Sequence, residues 1–154
     1  MLVNTLKEIL TRDLNKLKIE IESYQNEAAI WYVNKNSTNS AGTLCLHLVG
    51  NLNTFIGAAY GNTGYVRNRD AEFSLRDVKR TELIAQIEAV IAVVDATFNL
   101  LSDEDLEKPA LVAHFTEEKT TGFFFVHLIA HLSYHLGQVN YHRRLLDLEL
   151  TKLV

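Results

Sequence analysis

Four stretches of this chain carry apolar residues at alternating spacings of three and four, and no other feature restricts its fold as much. In the first, Val3, Leu6, Leu10, Leu14, Leu17, Ile21, Tyr24, Ala28 and Trp31 follow one another on a single stripe, with Lys, Glu and Asn mostly on the opposite side. That periodicity predicts one long amphipathic helix. "NKNSTNSAG" breaks it, since a run of Asn and Ser buries little. A second helix is expected from about Leu44 to Tyr60, with Leu44, His47, Leu48, Asn51 and Phe55 on one face, and a third from about Arg80 to Leu100, striped by Leu83, Ile87, Val90, Ile91, Val94 and Phe98. The fourth starts near Thr121 and runs to about Asp147. The one proline, Pro109, lies in a polar segment, so it interrupts none of them. Between the third and fourth helices, Ser102 and Asp105 stand at capping-box spacing and predict a single short turn.

Helices with one apolar face each must bury those faces together, so the expectation is an all-α protein: a four-helix bundle with long inter-helix connections, in one domain over residues 1–154. Connections of about ten to twenty residues in a compact bundle are often functional or wall a site. The charge balance narrows the partners. A net charge of −4 without a run of Lys and Arg argues against nucleic acid, which selects for a basic face. A single cysteine, Cys45, rules out an intrachain disulfide and a Cys-rich zinc knuckle. "MLVNTLKEILTRDLNKLK" is amphipathic from its start and does not read as a secretory signal. No apolar run approaches the roughly 18 residues of a membrane span, so a cytoplasmic protein without membrane contact is expected.

Against that plain background, "HLIAHLSYHLGQ" stands out. His127, His131 and His135 recur at steps of four, and His142 follows further on. A step of four rotates a helical side chain by only about 40°, so the first three lie within about 80° of arc, on the line where a bundle helix places its core. Buried imidazoles cost free energy unless each ring nitrogen has a partner. Two His at i, i+4 on one face can hold a single metal ion, which supplies the partners. By spacing alone the pair is either His127 with His131 or His131 with His135. A catalytic metal usually takes three protein ligands and leaves a position open, so another helix must contribute. His47, on the apolar stripe of the second helix, is the one histidine outside the C-terminal part of the chain. Cys45 stands about 200° round the helix from it and cannot face the same site. His114, in a polar loop, reads as a surface residue.

The pattern "LHLVGNL" around His47 with "AHLSYHLGQVNYHRRLL" from Ala130 to Leu146 resembles the DinB-like superfamily, whose bundles carry one His on the second helix and an HxxxHxGQ motif on the fourth. "GYVRNRDAEF", residues 64 to 73, is similar to a subgroup of that superfamily without a settled function. The resemblance spans nearly the whole chain in helix order. It implies a divalent metal, zinc or nickel, on His47, His131 and His135, and a homodimer. It also implies a possible activity, since some members are thiol-dependent transferases or isomerases that use a low-molecular-weight thiol.

With that ligand set, His127 falls in the second shell or lines the pocket. Gln138 and Asn51 can orient a ligand or bound water, or make helix–helix hydrogen bonds. Gly137 is expected to let a neighbouring helix approach closely, and Trp31, Tyr32, Tyr134 and Tyr141 to pack. Arg67 and Arg69 lie near Asp70 and Glu72, either as a local ion-pair network or as an anion clamp for the carboxylate of a substrate or thiol. No Ser-His-Asp set, phosphate-cradling glycine loop or carboxylate in HExxH register is present, which favours a thiol or water activated by the metal itself. The competing class is a non-catalytic, metal-stabilised binding or stress-response module, in which His127 or a loop carboxylate would complete a closed shell.

Overall fold

The computed structural model describes residues 1–35, 37–112 and 117–147. It is all-α. Five helices form, and among the described residues there is no strand, only an isolated bridge between Pro109 and Thr120 that closes the loop ahead of the last helix. Helix α1 spans Leu2–Glu22. Helix α2 spans Ala41–Leu52 and runs on through a π-helical turn, Asn53–Ala58, to a last turn ending at Gly61. Helix α3 is short, Arg69–Ser74, α4 spans Arg80–Phe98, and α5 spans Thr121–His142 with a π turn, Arg143–Asp147, behind it.

The apolar stripes do what their spacing predicts. Leu6, Leu10, Leu14, Leu17 and Ile21 from α1, Leu83, Ile87, Val90 and Val94 from α4, and Phe124, Leu128 and Leu132 from α5 join one core cluster with α2. Both α1 and α2 pack on α4 and on α5. Every residue of α2 from Ala41 to Leu52 is buried, so it is the innermost element and the one best placed to carry polar side chains into the interior. No described helix is long and apolar enough to cross a membrane.

The first helix is shorter than its stripe. It stops at Glu22, and Glu27–Trp31 is a separate 3₁₀ turn. The cause is competition for the backbone groups at the helix end, from nearby side chains and from one carboxylate distant in sequence. The Ser23 hydroxyl donates to the Ile19 carbonyl, the Asn26 side chain caps the Ala28 amide, and the amides of Gln25 and Asn26 donate to the buried Asp147 carboxylate at 2.8 and 3.0 Å. Tyr24 and Trp31 stay buried across the break, but Ala28 turns outward. The capping box at Ser102 and Asp105 forms as expected and heads the turn Asp103–Glu107.

Helix α3 is the element the spacing does not foretell. Six residues carry no stripe, but Asn68 accepts from the Ala71 amide as its N-cap, and Asp70 and Glu72 lie in the first turn, where acidic groups suit the helix dipole. It lies against α2 and brings Glu72 to the level of His47.

Candidate metal centre

Helix α2 presents His47 and, one turn later, Asn51. Helix α5 presents His127, His131 and His135. Three of these imidazoles converge. Nε2 of His131 lies 3.2 Å from Nε2 of His47 and 3.1 Å from Nε2 of His135. Among the described residues, His47, His131 and His135 form the one group of three side chains whose donor atoms could share an ion. Nitrogens each about 2.0–2.1 Å from a common zinc stand about 3.0–3.4 Å apart, so the spacing suits a divalent cation.

The outer nitrogens fix which lone pairs face inward. Nδ1 of His47 lies 3.1 Å from Oε2 of Glu72, and Nδ1 of His135 lies 2.6 Å from Oε1 of Gln138. Gln138 holds the proton of His135 on Nδ1, and at His47 the charged Glu72 does the same against an Arg67 guanidinium nitrogen 3.3 Å from that Nδ1, which turns the lone pairs of both Nε2 atoms towards His131. Nδ1 of His131 is buried with no hydrogen-bond partner. A cation at the point of convergence satisfies the three facing Nε2 lone pairs and leaves the proton of His131 on Nδ1. Without one, His131 has a single N–H to share between two facing lone pairs.

Electrostatics keep two of the rings neutral. Burial, reinforced by the facing His135 and His47 and by His127 and Arg67, pushes His131 down to about 4. His47 is lowered as well, chiefly by burial, against the opposite pull of Glu72. Neutral imidazole is the ligating form.

Glu72 is held in turn. Nε of Arg67 donates to its Oε1 at 2.6 Å and the second guanidinium nitrogen to Oε2 at 2.8 Å, a fork on a carboxylate that is 6 % exposed. That carboxylate lies against bare backbone: a Cβ on Gly50 would stand 2.1 Å from Oε1. The sequence leaves the Arg67–Glu72 segment either a local ion-pair network or an anion clamp and places no carboxylate in HExxH register with the histidines. The fork to Arg67 is that network, and the carboxylate also reaches His47. The signal available was an acid near an Asn cap in "RNRDAEF", but only the docking of α3 shows which helix it meets.

A cavity of about 320 Å³ opens beside His47 and His131, walled also by Asn51, Arg67, Arg69 and His127. His127 stays outside the convergent group and stacks on Phe124, with ring centroids 6.4 Å apart. Oδ1 of Asn51 is buried and has no hydrogen-bond partner among the described residues. Arg69 is exposed and lies over the Phe73 ring at 5.3 Å, and Phe73 in turn lies 5.2 Å from the His47 ring. The π turn that continues α2 adds Phe55 to the wall. The Thr54 hydroxyl donates to the Gly50 carbonyl at 2.7 Å there, a back-bond that loosens the helical ladder where α2 leaves the site.

Several expected roles are different in the structure. Among the described residues no neighbouring helix approaches Gly137: an added Cβ would meet none of them within 4 Å. Tyr134 and Tyr141 are exposed on the outer face of α5, and Tyr32 is exposed too, whereas Trp31 is core. The two tyrosines of α5 lie on an arc that faces away from the packed helices, and Tyr32 is the extended residue that ends the 3₁₀ turn. His142, on the same arc as the other histidines but further along the axis, meets different partners, the Tyr24 hydroxyl at 2.7 Å and the Tyr32 carbonyl at 2.8 Å. Cys45 is fully buried away from the site, its thiol pushed up to about 12 by burial. His114 lies outside the described residues.

A family model described as "Protein of unknown function (DUF1572)" matches residues 2–152 of the chain. No curated protein and no solved structure matches it.

Proposed function

We propose that this chain, which belongs to the DUF1572 family of proteins of unknown function, is a DinB-like four-helix bundle that holds a divalent metal, zinc or nickel, on His47, His131 and His135 and uses it to activate a small thiol for transfer or isomerisation. The observation that carries the reading is the meeting of three Nε2 atoms, 3.1 and 3.2 Å apart, at the wall of a cavity. The packing of α1 and α2 on both α4 and α5 supports the bundle.

A divalent cation on three neutral imidazoles keeps a net charge of about +2 and lowers the pKa of a thiol or water that reaches it. The protein's own part is positional. Glu72 and Gln138 hold the Nδ1 protons of His47 and His135, so both rings stay in the ligating tautomer. Arg67 holds Glu72, and Gly50 leaves room for it. His127 and Asn51 line the space where an outside molecule would sit.

The alternative reading, a metal-stabilised binding or stress-response module, needs a fourth ligand to close the shell. His127 stays outside the convergent group, and Glu72 engages the Nδ1 side of His47, away from the centre. Three donors beside a cavity favour an open position. The partner in this proposal is a small thiol or substrate and not nucleic acid or membrane, in keeping with the net charge of −4. A homodimer belongs to the same proposal. The exposed apolar face of α5, with Phe123, Val126, Tyr134 and Tyr141, suits it, and sedimentation tests it.

The activation itself is tested on cobalt-substituted protein titrated with small thiols. A thiolate-to-cobalt charge-transfer band and a shift of the d–d bands are expected. An unchanged spectrum with every thiol tried would count against thiol activation.

A further inference from the structure

Two polar groups in the wall of the cavity are left over once the metal centre is accounted for. Oδ1 of Asn51 is buried, in a residue only 7 % exposed, and accepts no hydrogen bond. A buried acceptor without a donor is costly, and a bound ligand or an ordered water recovers that cost. The other group is the guanidinium of Arg69. Of the two arginines at the cavity, Arg67 is engaged on both sides of its fork by Glu72, whereas Arg69 makes no ion pair among the described residues. Arg69 is not a loosely waving surface cation either. Its guanidinium rests on Phe73, and Phe73 rests on the His47 ring, so the charge is shelved over the cavity mouth.

We infer that this cavity binds a compact carboxylate ligand that also carries an N–H or O–H donor, with Arg69 pairing the carboxylate and Asn51 Oδ1 accepting from the donor. This deepens the proposed function by naming the ligand class of the same site, and it rests on that reading only for the ligand's third contact, a thiol at the metal. The cation and the acceptor are complementary to the two halves of such a molecule. A neutral ligand would leave Arg69 without a counter-charge, and a bare carboxylate would leave Asn51 unsatisfied. The volume of about 320 Å³ suits a compact small molecule.

The test compares closely matched probes. N-acetyl-L-cysteine has a carboxylate, an amide N–H and a thiol; its methyl ester lacks the anion, and 3-mercaptopropionate lacks the N–H. Titrated calorimetrically into zinc-loaded protein, the acid is expected to bind about tenfold more tightly than its ester, the scale of one lost charge-assisted hydrogen bond, and about fivefold more tightly than 3-mercaptopropionate, the scale of one lost neutral hydrogen bond. Arg69→Gln, an exposed change, should erase the preference for acid over ester. Asn51→Leu should erase the preference over 3-mercaptopropionate. If that buried variant does not fold, the two acids on wild-type protein still read the donor contact. N-acetyl-L-alanine and its methyl ester on zinc-free protein, followed by amide NMR shifts, separate the two claims, because neither Arg69 nor Asn51 belongs to the three-histidine group. Preference for the acid there, lost in Arg69→Gln, upholds the ligand class even if the metal reading fails. Equal binding of acid and ester in both forms, or a preference that survives Arg69→Gln, overturns it.

Discussion

Oε2 of Glu72 lies 3.1 Å from Nδ1 of His47, across the contact between a six-residue helix and the most buried helix of the protein. The carboxylate sets the tautomer of the ring, and the ring's other nitrogen then faces His131 with its lone pair. Such outer partners of metal-bound histidines typically change metal affinity by about 10–100-fold when removed.

Glu72→Gln should therefore weaken zinc binding by about that factor. The amide keeps the shape of the side chain but presents a poorer acceptor to both His47 and Arg67. Competition with a chromophoric chelator measures it. An unchanged zinc affinity would remove Glu72 from the centre.

Gly50→Ala should reproduce much of that loss by steric means. The new Cβ would stand 2.1 Å from Oε1 of Glu72, and that carboxylate is pinned by Arg67 and His47, so it cannot step aside without breaking one of them. Overpacking of this kind costs about 1–3 kcal/mol, to be read from urea unfolding alongside the zinc titration. The combination of Gly50→Ala with Glu72→Gln should be far from additive, because both act through one contact.

Gln138→Leu is a milder test of the same principle. Its side chain is exposed, so the fold should stand, while Nδ1 of His135 loses its acceptor. Zinc affinity should fall by less than for Glu72→Gln, since solvent water can replace an exposed partner. A loss as large as that of a ligand variant would mean that Gln138 does more than orient the ring.

His142 supplies a pH dependence separate from the metal. Burial lowers its pKa from the usual value near 6.5, outweighing the opposing pulls of the Tyr32 carbonyl and of Asp147. A base whose folded pKa is depressed takes up protons more readily when unfolded, so its stabilising contribution is complete above about pH 6.5 and is lost as pH falls through the folded value. His47 and His131 shift in the same direction, so the readout is a difference. The urea midpoint of the wild type should fall from pH 7.5 to 5.5 by more than that of His142→Gln. Equal falls would contradict the assignment.

The sequence made the helices legible because their apolar spacing is a property of each segment alone, as the buried run from Leu6 to Ile21 shows. That His127, His131 and His135 share one face was legible for the same reason, since all three lie on one helix. Spacing could not choose between His131 with His135 and His127 with His131; the motif resemblance made the choice, and the convergent nitrogens agree with it. What stayed hidden depends on partners distant in sequence. The break after Glu22 is set by Asp147, more than a hundred residues away. Glu72 meets His47 only because a helix too short to carry a stripe docks on α2. The tyrosines of α5 sit at helical spacing, but which arc of a helix finds a neighbour is decided by the other helices.

The most direct measurement of the central claim is the zinc stoichiometry of purified protein after chelation, reloading and desalting, for the wild type and for His131→Ala. His131 makes both of the close approaches that define the centre. One tightly held zinc per chain in the wild type and none in His131→Ala is the predicted result. A wild type that retains no metal, or a variant that retains it equally well, would contradict a three-histidine centre.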